Sequence, residues 1–125
     1  MAAPRPWTVT EHEPLLRVEE NLWLADASLP PMALRRRMSV VRLEDGRLLF
    51  HNAVPLREEE MAALERWGTP AFLVAPNRFH RLDLHAWKVR YPGLRVLTPR
   101  QAARAFGQVV QVDGDLSSAR WAAPR

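Results

Sequence analysis

Glu44-Asp45-Gly46-Arg47 stands between two apolar runs, Met38 to Leu43 and Leu48 to Val54. Asp-Gly in that setting is the strongest short signal for a β-hairpin, because both central positions of a type I′ turn need positive φ. The chain must therefore contain antiparallel sheet, and its neighbouring segments must add to it.

The residues after the hairpin predict parallel crossovers. Pro55 ends the second strand, and a helix begins near Arg57 with Glu58, Glu59 and Glu60 in its first turn, where negative charge suits the helix dipole. Met61, Leu64 and Trp67 recur at i, i+3 and i+6 as one buried stripe; Gly68 is placed for a left-handed C′ position and Pro70 blocks continuation. Ala71 to Ala75 has strand length, which completes a βαβ unit. The pattern repeats with a helix over Leu82 to Tyr91, its face carrying Leu84, Trp87 and Tyr91, and a strand over Leu94 to Leu97. Thr98-Pro99-Arg100-Gln101 combines a capping hydroxyl, a first-turn proline and a glutamine three residues after the cap, so a third helix is expected to Phe106. A strand over Gln108 to Val112 and a turn at Asp113-Gly114 close the pattern.

Ahead of the hairpin, Val18 to Ala25 reads as a short strand, and Ser28-Leu29-Pro30-Pro31 as an extended connection. The fold class is α/β: a mixed sheet, antiparallel at one end and parallel at the other, with helices mainly on one face. Residues 1–14 read as a loose leader, 15–116 as a single domain and 117–125 as a tail.

Composition narrows the function. At 125 residues there is room for one core. No apolar run approaches the roughly 18–20 residues of a membrane span, the N-terminus lacks a secretory h-region, and there are no cysteines. Disulfide frameworks, thiolate metal sites and cysteine nucleophiles are thereby excluded, and a cytoplasmic protein with no membrane partner is expected. Gly-rich phosphate loops and Gly-x-Ser-x-Gly elbows are absent. Residues 1–34 carry net charge −3 and residues 35–125 net +7, with Lys88 the only lysine. A polyanion partner is one reading of so much arginine; a GC-rich coding bias is the plainer one.

Asn21-Leu22-Trp23, Arg37 to Leu43, Asp45 to His51, Trp67-Gly68, Leu73-Val74-Ala75-Pro76-Asn77, His80, Trp87 and Tyr91-Pro92-Gly93 form a set. It resembles an uncharacterised bacterial domain-of-unknown-function family related to the metallo-β-lactamase fold, over Leu15 to Phe106. The resemblance implies one half of a four-layer αββα sandwich, a fold made of two similar βα halves with metal ligands at the seam. The superfamily's main motif, His-x-His-x-Asp-His, follows the central strand. Setting His80 in the second histidine's place puts Arg78, Leu82 and Asp83 in the other three, so one ligand of four survives. An arginine there has no lone pair to offer and repels a cation.

The expectation is therefore a non-catalytic domain with no cofactor, its ligand cleft at the strand ends formed by His51, Asn77, Arg78, His80, Asp83 and His85. The alternative is a metal-dependent hydrolase holding zinc with His80, Asp83 and His85, which needs the helix to start after Asp83 because i and i+5 diverge by about 140°. A further alternative is nucleic-acid binding through Arg35, Arg36, Arg37, Arg78 and Arg81; the plainer expectation for Arg35-Arg36-Arg37 is a charged strand edge that blunts pairing.

Half a sandwich leaves one sheet face without its partner layer. Each of its apolar side chains would forfeit about 1.5–3 kcal/mol if uncovered. The leader's Trp7, Val9, Leu15 and Leu16, the tail's Leu116 and Trp121, a homodimer or another protein are the available covers.

Overall fold

A computed structural model describes residues 5–29, 32–75, 83–98 and 114–115 and sets the hairpin in the middle of a seven-stranded sheet. The strands are β1 (Leu16–Glu19), β2 (Leu22–Leu29), β3 (Met32–Arg42), β4 (Arg47–His51), β5 (Thr69–Val74), β6 (Arg95–Thr98) and β7 (Gly114–Asp115), side by side in chain order. β1 to β4 pair with one another antiparallel, and β4 to β7 pair parallel. Helices α1 (Glu58–Trp67) and α2 (Leu84–Arg90) make the two expected crossovers. Neither is long and apolar enough to cross a membrane.

The hairpin turn is not type I′. Leu43 N–H bonds the Arg47 carbonyl at 2.8 Å and Gly46 N–H the Leu43 carbonyl at 2.9 Å, so three residues form the loop. Gly46 alone in it has positive φ, 87°, as a type I turn closed by a left-handed glycine requires. Asp45 then accepts from Arg47 N–H at 3.1 Å and Nε at 2.6 Å, which holds the third residue in register.

The side-chain period of two sorts the sheet into two faces. Trp23, Ala25, Ala27, Met38, Val40, Leu48, Phe50, Leu73 and Val96 point to the helices and bury against Met61 and Leu64 of α1 and Leu84 and Trp87 of α2. Arg17, Trp23, Trp67 and Arg42 stack in sequence, the indoles 4.0 Å apart and nearly parallel, the guanidinium carbons 4.6 and 5.2 Å from the outer rings. That stack explains a charge inside an apolar strand: Arg42 caps an indole and reaches the Trp67 carbonyl at 3.3 Å. On the opposite face lie Leu22, Val41, Leu49 and Phe72 in one cross-strand row, and Leu16, Leu24, His51, Val74 and Leu97 in the next.

Several expectations are corrected. The expected Val18–Ala25 strand is two strands, folded back at Glu20-Asn21. β3 begins at Met32 rather than Met38, paired with β2 through Leu29↔Met32, so Arg35, Arg36 and Arg37 lie within a strand rather than before one, on a stretch that β2 flanks on one side while β4 pairs only with Ser39 to Arg42. Gly68 is extended, with φ −172°, rather than left-handed. Gly114 belongs to β7, opposite Leu97, rather than to a turn. Thr98 ends β6 with its hydroxyl buried; the helix it was expected to cap lies outside the described residues.

The leader is held rather than loose over its described residues. Residues 11–13 run antiparallel along β2: Glu13 N–H bonds the Asp26 carbonyl, and Ser28 N–H the Glu11 carbonyl. Trp7 packs on Trp87 at 5.0 Å on the helix side, so the described residues of the leader cover the sheet's edge and the helix layer. The expected helix to Phe106, the Gln108–Val112 strand and the tail's Leu116 and Trp121 lie outside the described residues.

Candidate functional site

Parallel strands aim their C-terminal ends at one rim, where ligands bind in open α/β sheets. β4 ends there with His51, which is exposed. Asn52 follows with φ 61°, a left-handed position that asparagine tolerates. It is fixed by its N–H to the Val74 carbonyl and its Nδ2 to the Arg37 carbonyl, both 3.0 Å. Asn77, Arg78 and His80 fall outside the described residues.

Asp83 is the candidate with the most definite surroundings. It precedes α2, and its side chain is only 1% exposed. It makes no capping hydrogen bond. Both carboxylate oxygens are instead taken by arginine: Arg5 Nε reaches Oδ1 at 2.8 Å, and Arg5 Nη2 and Arg36 Nη1 reach Oδ2 at 3.2 and 2.7 Å. Arg36 is 10% exposed. Its Nη2 lies 3.5 Å from Thr10 Oγ1, and its buried Nε has no partner. Two guanidiniums on one carboxylate leave a surplus of one positive charge.

Those residues do not fit a zinc site. A carboxylate gripped on both oxygens can reach a cation only by shedding its arginines, and two nearby positive charges oppose the metal. His85 is exposed on α2 and faces the groove beside Arg5 and Trp7. Among the described residues no three of His, Cys, Asp and Glu are grouped to hold a metal. The His80, Asp83 and His85 set thus loses Asp83 to the arginine clasp.

The arginine run does not form one basic face. Alternation sends Arg36 to the helix side, while Arg37 pairs with Asp26 at 2.7 Å and Arg35 with Glu13 at 3.6 Å. The Arg37 partnership holds the Asp26 carboxyl below its ordinary value, through hydrogen bonding first.

His12, to which the sequence lends no role, is buried. Its Nδ1 donates to the Glu13 carbonyl at 2.9 Å and its Nε2 accepts Arg57 N–H at 3.1 Å, so it anchors the start of α1, where no side-chain cap exists. A lone histidine in a proline-containing leader carries no periodic signal that could have revealed this. On the far side of α1, Arg90 clamps Glu58 at 2.7 and 2.8 Å and donates to Tyr91 Oη at 3.1 Å, and Tyr91 donates to Glu65 at 2.5 Å. Burial, then the Glu65 hydrogen bond, pushes the Tyr91 phenol up to about 12.

No protein-family model and no curated protein matches the sequence. Solved structures do match by fold. A metallo-β-lactamase from Hirschia baltica superposes with TM-score 0.59 at 9% identity, covering 86% of this chain and 54% of that one. The metallo-β-lactamase FIM-1 from Pseudomonas aeruginosa, in a mono-zinc form, gives 0.58 at 11%, covering 90% and 51%. DIM-1 metallo-β-lactamase exposed to ceftazidime gives 0.61 at 11%, covering 87% and 53%. The chain has a metallo-β-lactamase-like fold and spans about half the length of these proteins.

Proposed function

We propose that this chain acts by association rather than by catalysis, as half of a metallo-β-lactamase-like sandwich whose sheet face opposite α1 and α2 receives a second copy of the chain. The observation that carries this is the half-buried apolar row Leu22–Val41–Leu49 across three neighbouring strands. Phe72, next in the row, is already buried with Val74 and Leu97 and has the Arg47 guanidinium 4.9 Å over its ring, so the contact falls on the β1–β4 side, where Leu16 in the adjoining row is 59% exposed. A row of side chains on a sheet can face its own copy about a two-fold axis, which makes the contact isologous and closed. The fold match over half of each metallo-β-lactamase supports the same occupant, since the resemblance implies two similar halves packed face to face. The arginine clasp on Asp83 supports the non-catalytic part of the reading. A cytoplasmic setting belongs to it too, with zero cysteines as its support.

Sedimentation equilibrium tests the association. The full chain should be dimeric at about 100 μM, and Leu49→Lys should weaken the dimer at least about tenfold by placing a charge in an apolar contact. Val9→Lys, on an exposed site in the leader, should leave it intact. A monomer under these conditions, or a dimer indifferent to Leu49→Lys, overturns the proposal. Equilibrium dialysis tests the non-catalytic part: less than about a tenth of an equivalent of zinc should bind, and stoichiometric zinc would restore the hydrolase reading.

A further inference from the structure

On the helix side, away from the proposed contact, residues Arg5 to Trp7 and α2 enclose a groove of about 460 Å³, within the range of small-ligand sites. We propose that this groove binds a small amphipathic monocarboxylate, its head at Arg5 and His85 and its aliphatic body along Trp7, Ala86 and Val89.

The charge is right for one anion. Arg5 gives Nε and one Nη to Asp83, and its Nη1 has no acceptor among the described residues. Asp83 is shared with Arg36, so the cluster keeps one unbalanced positive charge. His85 stands exposed on the same groove wall. Asp83, the carboxylate on Arg5, is already balanced by Arg36, and on the other side Glu58 is bound by Arg90 and Glu65 by Tyr91 and Arg90.

The apolar wall is equally specific. Val89 is 64% exposed, the most exposed large apolar residue described. It sits at i+4 from His85, so charge and apolar surface lie one turn apart on one helix face. Its exposed side chain lines the groove, open to a ligand's hydrocarbon. Across the groove, Trp7 is fixed by its Nε1 bond to the Leu56 carbonyl at 3.2 Å, by Trp87 at 5.0 Å and by Arg90 4.7 Å over its ring. Walls already held in place lower the ordering cost of binding.

Calorimetric titration of the full chain with sodium octanoate tests the proposal. One saturable site is expected, with Kd about 1 mM or tighter. Acetate, which lacks the tail, and octylammonium, which reverses the charge, should bind at least about tenfold more weakly. Val89→Glu should lose octanoate affinity by a similar factor, whereas Val9→Lys, at an exposed leader site outside the groove, should retain it. Leu49→Lys on the opposite sheet face should also retain it, which separates this site from the association surface. Absence of saturable binding, octylammonium binding as well as octanoate, or undiminished affinity in Val89→Glu overturns the proposal. Loss of binding in Leu49→Lys overturns it too, by placing the ligand on the other face.

Discussion

A Cβ added to Gly68 would lie 2.5 Å from the Gly46 carbonyl oxygen and 2.6 Å from Leu48 Cδ2. The backbone at Gly68 is extended and would suit any residue, so the glycine answers to proximity rather than to conformation. Neither neighbour can give way cheaply: the Gly46 carbonyl accepts Thr69 N–H at 3.0 Å, and Leu48 is fully buried. Gly68→Ala should therefore cost about 1–3 kcal/mol, as overpacking does. Gly93→Ala meets nothing within 4 Å and should stay within about 0.5 kcal/mol of the parent. Urea unfolding of both variants measures the contrast, and equal midpoints for Gly68→Ala and the parent would refute it. The residue itself stood out in the sequence as a helix terminator. Its close neighbours did not, because Gly46 and Leu48 are twenty residues or more away and meet it only once the crossover is built.

Between elements, α1 and α2 are joined by Glu58, Glu65, Arg90 and Tyr91. Tyr91 is the only tyrosine in the chain, so phenolate absorbance reports it alone. Its folded value is near 12, against 10.0 for an ordinary tyrosine, because burial and the bond to Glu65 favour the neutral phenol. Below pH 10.0 both folded and unfolded chains hold this proton, and its contribution to stability is complete. As pH rises from there towards 12 the unfolded chain alone ionises, so stability falls, and Tyr91→Phe should flatten that decline. A spectrophotometric titration with a folded midpoint near 10.0 would contradict the clamp. At this scale the crossovers were legible, since Pro55, the Glu58 to Glu60 run, the Met61–Leu64–Trp67 stripe and Pro92-Gly93 are local signals. The first half of β3 was not: after Pro30-Pro31 the three arginines look like an irregular stretch, and only pairing with β2 makes Met32 to Arg37 a strand.

For the whole molecule the decisive contact is the clasp on Asp83, which ties residue 5, β3 and α2 across 78 and 47 positions of sequence. Asp83 was visible in the sequence as a candidate ligand, but its arginine partners were not, since no spacing rule links positions so far apart. The two roles predict opposite responses to removing the carboxylate. A metal ligand without its metal adds negative charge to a cluster of donors, so losing it would leave stability unchanged or higher. A carboxylate that balances two guanidiniums, one of them 10% exposed, leaves a buried charge unpaired when removed, at about 3–5 kcal/mol. That is a large part of the roughly 5–15 kcal/mol that holds a domain together. Asp83→Ala should accordingly shift the urea midpoint far down. The pair Arg36→Met with Asp83→Leu should recover much of the loss, because no unpaired buried charge then remains and Arg5 can turn to solvent. Measured in the presence of a chelator, parental stability in Asp83→Ala would make Asp83 a metal donor again. A loss that the apolar pair repairs would establish that Asp83 serves to balance the charge of its arginines.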